Sequence, residues 1–214
     1  MKTAVIIVAR TGSSRLPDKM LKIINGQRLI VHDIKRAQQA NADEIIVATT
    51  DLSEDNRIAE IAELYNCKIF RGHNENAKQR FVAACEHFNI DIAVNFDGDD
   101  PFTDIDLMKE AISGLKHDEW KRCMVFIGHF TFAWKNGDFY EHKVVDGYRF
   151  TIDYPEDLEF FRQVFKGMKI RENILSIREI LEWVDTHMHI KEINLFRNND
   201  WKENQERERI SARH

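Results

Sequence analysis

The stretch Thr3–Lys19, TAVIIVARTGSSRLPDK, decides the fold. Its opening, Thr3 to Ala9, is a near-continuous β-branched run, the pattern of a strand buried on both faces of a parallel sheet. Such a strand needs helices on either side, and the chain supplies them in alternation. Leu29–Ala40 (LIVHDIKRAQQA) sets Ile30, Ile34 and Ala37 at helical spacing, and Glu44–Thr50 (EIIVATT) is a second buried strand. Glu54–Tyr65 reads as a second amphipathic helix, Cys67–Arg71 as a short third strand, Ala77–Phe88 as a third helix and Ile90–Phe96 (IDIAVNF) as a fourth strand. This alternation predicts right-handed βαβ units and an α/β fold, three-layer α/β/α around a mostly parallel sheet.

Beyond the acidic turn Asp97–Asp106 the pattern changes. A helix over Leu107–Leu115 and a strand over Cys123–Gly128 are followed by an aromatic-rich stretch, Phe130–Tyr154. Its turn signals, Asn136-Gly137-Asp138 and Asp146-Gly147, predict a short antiparallel hairpin region. Pro155 opens a helix whose apolar stripe is Leu158, Phe161, Val164 and Phe165, and Ser176–Trp183 reads as another helix. The last stretch, 198–214, mixes both charge signs with little apolar content and is expected to be a frayed polar tail on a single domain spanning 1–197.

Composition narrows the function. The 214 residues carry 31 Lys and Arg against 36 Asp and Glu, a formal net charge of -5, so there is no global basic field to hold nucleic acid or an anionic membrane. The apolar run at the N-terminus is too short for a signal-peptide core or a membrane span, and the expected location is cytoplasmic. Three widely spaced cysteines, Cys67, Cys85 and Cys123, read as reduced small hydrophobes.

In open parallel sheets ligands bind at the carboxyl ends of the strands, which directs attention to the loops after the first and fourth strands. The first, Ala9–Lys19, offers backbone N–H groups at Gly12, Ser13 and Ser14 and cations at Arg10, Arg15 and Lys19, a concavity suited to a polyphosphate. It matches neither glycine pattern of the familiar nucleotide loops. The other loop, NFDGDDPFTD, crowds Asp97, Asp99, Asp100 and Asp104 around Gly98 and Pro101. So many carboxylates repel one another unless some face water or a cation, and magnesium is a hard ion that prefers such oxygens. Asp104 reads as the N-cap of the helix that follows. A third element is Arg149–Glu159, RFTIDYPEDLE; on local sequence Asp153 reads more readily as a helix cap than as a site residue, and gains interest only in combination with Asp99.

In combination these motifs carry a resemblance. ARTGSSRLPDKML from Ala9 to Leu21, Asn25-Gly26 through Ile30-Val31-His32, EIIVATTD ending at Asp51, FRG from Phe70 to Gly72 before Arg80, GDDP from Gly98 to Pro101 and TIDYPEDL from Thr151 to Leu158 stand in one order. Together they make the chain similar to the cytidylyltransferase family of CMP-ketodeoxyoctonate and CMP-acylneuraminate synthetases, most of all to its spore-coat polysaccharide branch. The resemblance implies a nucleotide-diphospho-sugar transferase fold. It also implies transfer of CMP from CTP to an acidic sugar or other anionic acceptor, with release of pyrophosphate, in surface polysaccharide or related biosynthesis. On that footing Ala9, Arg10, Gly12, Ser13, Arg15 and Lys19 bind the nucleotide, Arg80 matches a cleft arginine, and Asp99 and Asp153 match the carboxylates for Mg2+. Arg15, Lys19 and Asp99 are the catalytic candidates; a homodimer is left open, because the family's dimer-contact elements lie in the interval that is short here.

Two departures stand out. Asp18 occupies the place of the family's usual glycine before the loop lysine, and only 54 positions separate Asp99 from Asp153, where the family carries a longer insert. Two rival readings follow: a glycosyltransferase of similar fold using Asp97-Gly98-Asp99 as its metal motif, and a non-catalytic nucleotide-binding scaffold. Weaker candidates are His187 and His189, spaced to share a face of a strand, and Phe130, Phe132, Trp134, Phe139 and Tyr140 as stacking residues, with Lys135, His142 and Lys143 near them.

Overall fold

A computed structural model describes residues 1–117, 120–125, 131–135, 138–142, 147–170 and 174–211. The chain opens with β1 (Thr3–Val8), passes through the loop to a 3-10 turn over Lys19–Leu21, and forms a small hairpin of β2 (Ile23–Ile24) and β3 (Gln27–Arg28). Then follow α1 (Leu29–Ala37), β4 (Glu44–Thr50), α2 (Asn56–Leu64), β5 (Lys68–Gly72), α3 (Ala77–Phe88), β6 (Ile92–Asp97) and α4 (Ile105–Lys116). A three-stranded antiparallel sheet, β7 (Trp120–Val125), β8 (Thr131–Lys135) and β9 (Asp138–His142), precedes α5 (Pro155–Gly167), α6 (Ile177–Asp185), α7 (Met188–Leu195) and α8 (Arg197–Ser211).

The central sheet is parallel with strand order β5-β4-β1-β6. Alternation along β1 sorts its side chains: Val5 and Ile7 join the core that contains Ile30 and Ile34 of α1, Ile58 of α2 and Phe161 of α5, while Ala4 and Ile6 pack with Ala84 and Phe81 of α3. These are the three layers that the buried strands required. The chain winds from β1 outward to β5 and returns to add β6 on the other flank of β1, so the topological switch lies between β1 and β6. The loops after those two strands therefore share one crevice.

The elements expected in the first hundred residues form in the expected order. Three readings from the second half are corrected. His187 caps α7 and His189 lies within it, so the pair is helical, with Trp183 stacked on His187 at 3.9 Å between ring centroids. The polar tail continues as α8 as far as Ser211, because Arg197 and Asn204 are tied to residues near Asp153. Asp153 does not cap α5: Tyr154 is the N-cap residue, and Asp157 reaches back to accept from the Tyr154 and Asp153 amides at 2.9 Å each. The turn at Asn136-Gly137, residue Asp146, and the side chains of the aromatic candidates, Lys135, His142, Lys143 and Cys123 lie outside the described residues and side chains. Cys67 and Cys85 are free, and burial pushes the Cys67 thiol up to about 11. Among the described residues no helix is long and apolar enough to cross a membrane.

Candidate active site

Each wall of the crevice is held by its own logic. In the loop after β1, the Ala9 amide donates to Ala48 O at 3.2 Å, extending the β1–β4 pairing by one residue. Thr11 then donates from both its amide and its hydroxyl to Asp55 Oδ1, each at 2.6 Å, while Thr50 donates to the other oxygen of Asp55. Buried Asp55 thus staples the loop to the end of β4, a role the sequence disguises because an acidic residue before a helix reads as a cap. Leu16 is buried, its amide donating to Ser13 Oγ at 3.4 Å, which leaves Gly12 and Ser14 exposed on the outer bend. Asp18 has φ 55°, left-handed, which accounts for a glycine preference at this place; its side chain is exposed.

The loop after β6 is pressed against this one. A Cβ on Gly98 would stand 2.9 Å from Met20 Cε and 3.0 Å from Val8 O, so only glycine lets the two strand ends approach so closely. The turn closes through the Asp100 amide to Asp97 O at 3.1 Å and the Thr103 hydroxyl to Asp100 O at 2.7 Å. Asp104 caps α4 as expected, accepting from the Asp106 and Leu107 amides at 2.9 and 3.1 Å. Asp97 turns aside to accept from Asn95 Nδ2 at 2.9 Å.

The third wall is the extended segment 147–154, docked by the Ile152 amide on Asp99 O at 2.8 Å. That bond brings Asp153, only 3 % exposed, beside Asp99. Between them sits Lys19: its Nζ lies 2.5 Å from Asp99 Oδ2, 3.3 Å from Asp153 Oδ1 and 3.1 Å from Ile152 O. Arg15 donates to Asp153 Oδ1 at 2.8 Å, and buried Arg149 approaches Asp153 Oδ2 at 3.3 Å while clasping Asp157 at 2.7 and 2.9 Å. Burial raises the cost of the Asp153 charge, but Lys19, Arg15 and Arg149 outweigh it and hold the carboxyl below its usual range. Lys19 is the mirror case: burial disfavours its ammonium, and Asp99 with Asp153 more than offsets that, raising its pKa.

Asp100 lies beneath this group, pushed well above the carboxylate range by burial and by Asp99 and Asp97, with Oδ1 buried and unpartnered. The structure thus unites Arg15, Lys19, Asp99 and Asp153. It does not unite them with Arg10 and Arg80, which meet elsewhere: Arg10 donates to Asn74 O at 2.9 Å, and Arg80, 2 % exposed, donates to Ala48 O at 3.2 Å and His73 O at 2.7 Å. Sequence reasoning missed Asp55, Arg149, Asp157 and Tyr154 as residues that build the site.

Among the described residues no three His, Cys, Asp or Glu side chains are gathered as a metal group. Two carboxylates converging on a single cation are nonetheless the donor set magnesium takes when substrate phosphates and water complete its shell. The orphaned Asp100 oxygen next to them adds unspent acceptor capacity.

The chain is 29% identical over 232 aligned residues to the uncharacterized protein MJ1063 of Methanocaldococcus jannaschii, covering 91% of this chain and 95% of that protein. A solved cytidylyltransferase from Leptospira borgpetersenii superposes with a TM-score of 0.72 over 89% of this chain and 97% of its own, at 20% identity, and so shares the fold. The solved CMP:2-keto-3-deoxy-manno-octonic acid synthetase complexed with CTP is 30% identical, with a TM-score of 0.50 over 55% of this chain; the match spans about half of that enzyme, 48%. Residues 4–136, more than half of the sequence, match the family described as cytidylyltransferase, and with the strand-end loops and their aspartates in place the chain belongs to that family.

Proposed function

We propose that this protein transfers CMP from CTP to an acidic sugar or another anionic acceptor, releasing pyrophosphate, in the cytoplasm and in the synthesis of a surface polysaccharide or related metabolite. The observation that carries the reading is the Lys19 ammonium held 2.5 Å from Asp99 and 3.3 Å from Asp153, with Arg15 on the same aspartate. A site for nucleotidyl transfer needs cations for a triphosphate next to carboxylates for a metal, and the cations beside aspartates in this crevice support that reading.

In the proposed reaction an acceptor oxygen attacks the α-phosphorus in line, and the bond to the bridging oxygen of pyrophosphate breaks with its electron pair going to pyrophosphate. An acceptor carboxylate or phosphate is already ionised at neutral pH, whereas a sugar hydroxyl loses its proton to a base, or with metal activation, as it attacks; neither route needs a nucleophilic Ser, Cys or His. Asp99 and Asp153 would hold magnesium, which when bound neutralises phosphate oxygens and favours departure of the leaving group. Lys19 and Arg15 steady the triphosphate and then the departing pyrophosphate, and the rigid strand ends set their positions before substrate arrives. The reading includes a homodimer, to be checked by light scattering.

The test is pyrophosphate release from CTP with magnesium and a panel of acidic sugars, phosphosugars and phosphonates, with Asp99→Asn as the control. Release that requires acceptor and collapses in the variant is expected. Hydrolysis of nucleotide-sugars without pyrophosphate release would support a glycosyltransferase instead, and an Asp99→Asn variant with unchanged cellular phenotype would support a scaffold.

A further inference from the structure

We propose that the C-terminal helix α8 is a brace for the active site, acting through Tyr154 on Arg15. The inference rests on the reading above for its kinetic consequences, and on geometry alone for the brace itself.

The sequence of α8, RNNDWKENQERERIS, has no continuous apolar stripe, and a helix of 15 residues with that composition gains little from propensity or burial. Its polar attachments include Asn198 Nδ2 on Tyr148 O at 3.3 Å and a pair seven residues apart, two helical turns, and so on one face. Arg197 grips Glu156 with Nη2 and Nε at 2.8 and 3.2 Å, and its guanidinium lies 4.7 Å from the centroid of the Tyr154 ring. Asn204 Nδ2 donates to the Tyr154 hydroxyl at 2.9 Å.

Tyr154 is the residue next to the site aspartate, and its ring carries two further guanidiniums, Arg149 at 5.4 Å and Arg15 at 5.5 Å. Arg149 is already fixed by Asp157. Arg15 is held less firmly: its side chain is 31% exposed, its ion-pair partner is Asp153, and its other polar neighbour is Tyr154 itself. A long side chain with one ion-pair partner sweeps a wide arc, and an aromatic face and hydroxyl beside it remove much of that freedom. The ring can do so only while its own hydroxyl end is anchored, and that anchor is Asn204. Tyr154, Asn204 and Arg197 are thus positioning residues.

The experiment has two arms. In the first, kcat/KM for CTP is measured for Tyr154→Phe and Asn204→Ala. Each falls about fivefold, the size of one neutral hydrogen bond, through KM more than kcat because Arg15 grips ground and transition states alike. The double variant falls no further than either single one. Asn204→Asp, whose carboxylate accepts from the tyrosine hydroxyl, restores the rate in the wild-type background and not in Tyr154→Phe. Glu203→Gln, on an exposed face of the same helix, leaves it unchanged. Losses that multiply in the double variant, or no rescue by Asn204→Asp, would overturn the brace.

The second arm needs no activity. Urea unfolding is compared for Arg15→Ala, Asn204→Ala and the double variant, in the presence and absence of Tyr154→Ala. Sites without shared partners add, whereas the brace predicts non-additivity that vanishes with the tyrosine. Additive losses would refute it. If the wild-type protein releases no pyrophosphate from CTP, the proposed reaction fails while this cycle still decides the brace.

Discussion

Residues 3–104 and residues 147–204 build the two sides of one crevice by opposite means. The first region is a register of parallel strands, whose neighbouring ends fix the loops between them. The second has no place in that sheet among its described residues; it is a docked stretch and four helices, whose Phe150, Ile152 and Phe161 join the core of the first region and which is aligned by polar bonds to partners far away in sequence, such as Ile152 to Asp99 and Asn194 to Asp157. The first region supplies Lys19, Arg15 and Asp99, and the second supplies Asp153. A site shared in this way is as rigid as the weaker of its two supports, which makes the buried pair Arg149–Asp157 the place where the comparison is most easily broken.

Asp157→Ala is the largest expected effect. Asp157 is fully buried, accepts from Arg149, Asn194 and the amides of Asp153 and Tyr154, and its removal strands an arginine that is 1 % exposed. Breaking one partner of a buried pair costs about 3–5 kcal/mol, to be read by urea unfolding. A loss below about 1 kcal/mol, the scale of an exposed pair, would mean that the second region is held by packing and not by this pair. Asp99→Asn comes next: pyrophosphate release drops by about 100-fold or more, with the melting curve little changed, since it removes a carboxylate proposed to hold the metal that neutralises the reacting phosphates. Equal activity would remove Asp99 from the site. Gly98→Ala follows. Its Cβ meets Val8 O at 3.0 Å, a backbone atom that cannot yield as the Met20 end can, so a loss of about 1–3 kcal/mol in unfolding is expected.

The same contrast explains what could be read from sequence. The run TAVIIV and its helical successors reveal the sheet because burial on both faces leaves a local signature that needs no partner. Arg15, Lys19 and Asp99 were legible for the same reason: each stands at the end of a strand that could be located. Asp153 and Asp157 read in reverse, since an aspartate before Pro155 looks like a cap and one three residues inside a helix looks like solvent-facing charge. Only Ile152 docking on Asp99, a contact across more than fifty residues, exchanges their roles. The polar sequence of α8 failed as a signal likewise, because its anchors at Glu156 and Tyr154 are absent from the local pattern. Arg80 matched a motif, yet its guanidinium goes to the carbonyls of Ala48 and His73, and a motif does not say which way a side chain turns.

The smallest predicted effect tests whether the first region is itself free of strain. Asp33, on the face of α1 turned to the core, has no exposure and no hydrogen-bond partner for either carboxyl oxygen. Burial first, and then Asp99, push its pKa well above the carboxylate range, against the lesser pull of Arg36 and Lys19. Arg36 has other support, donating to the carbonyls of Thr103 and Leu175. A carboxyl whose folded pKa is raised costs the folded state nothing at pH values below its unfolded value, near 3.9, and costs most above its folded value. Asp33→Leu, of similar volume and without charge, is therefore expected to stabilise the protein by about 1 kcal/mol at neutral pH. The gain should shrink steadily as the pH is lowered and be gone near pH 4, a direction opposite to that of an ordinary paired aspartate. Urea midpoints of the two proteins across that range decide it. A gain that does not change with pH would mean that Asp33 titrates in the folded protein as it does in the unfolded chain, so that neither burial nor Asp99 raises its pKa, whereas a loss would show that Arg36 needs its charge.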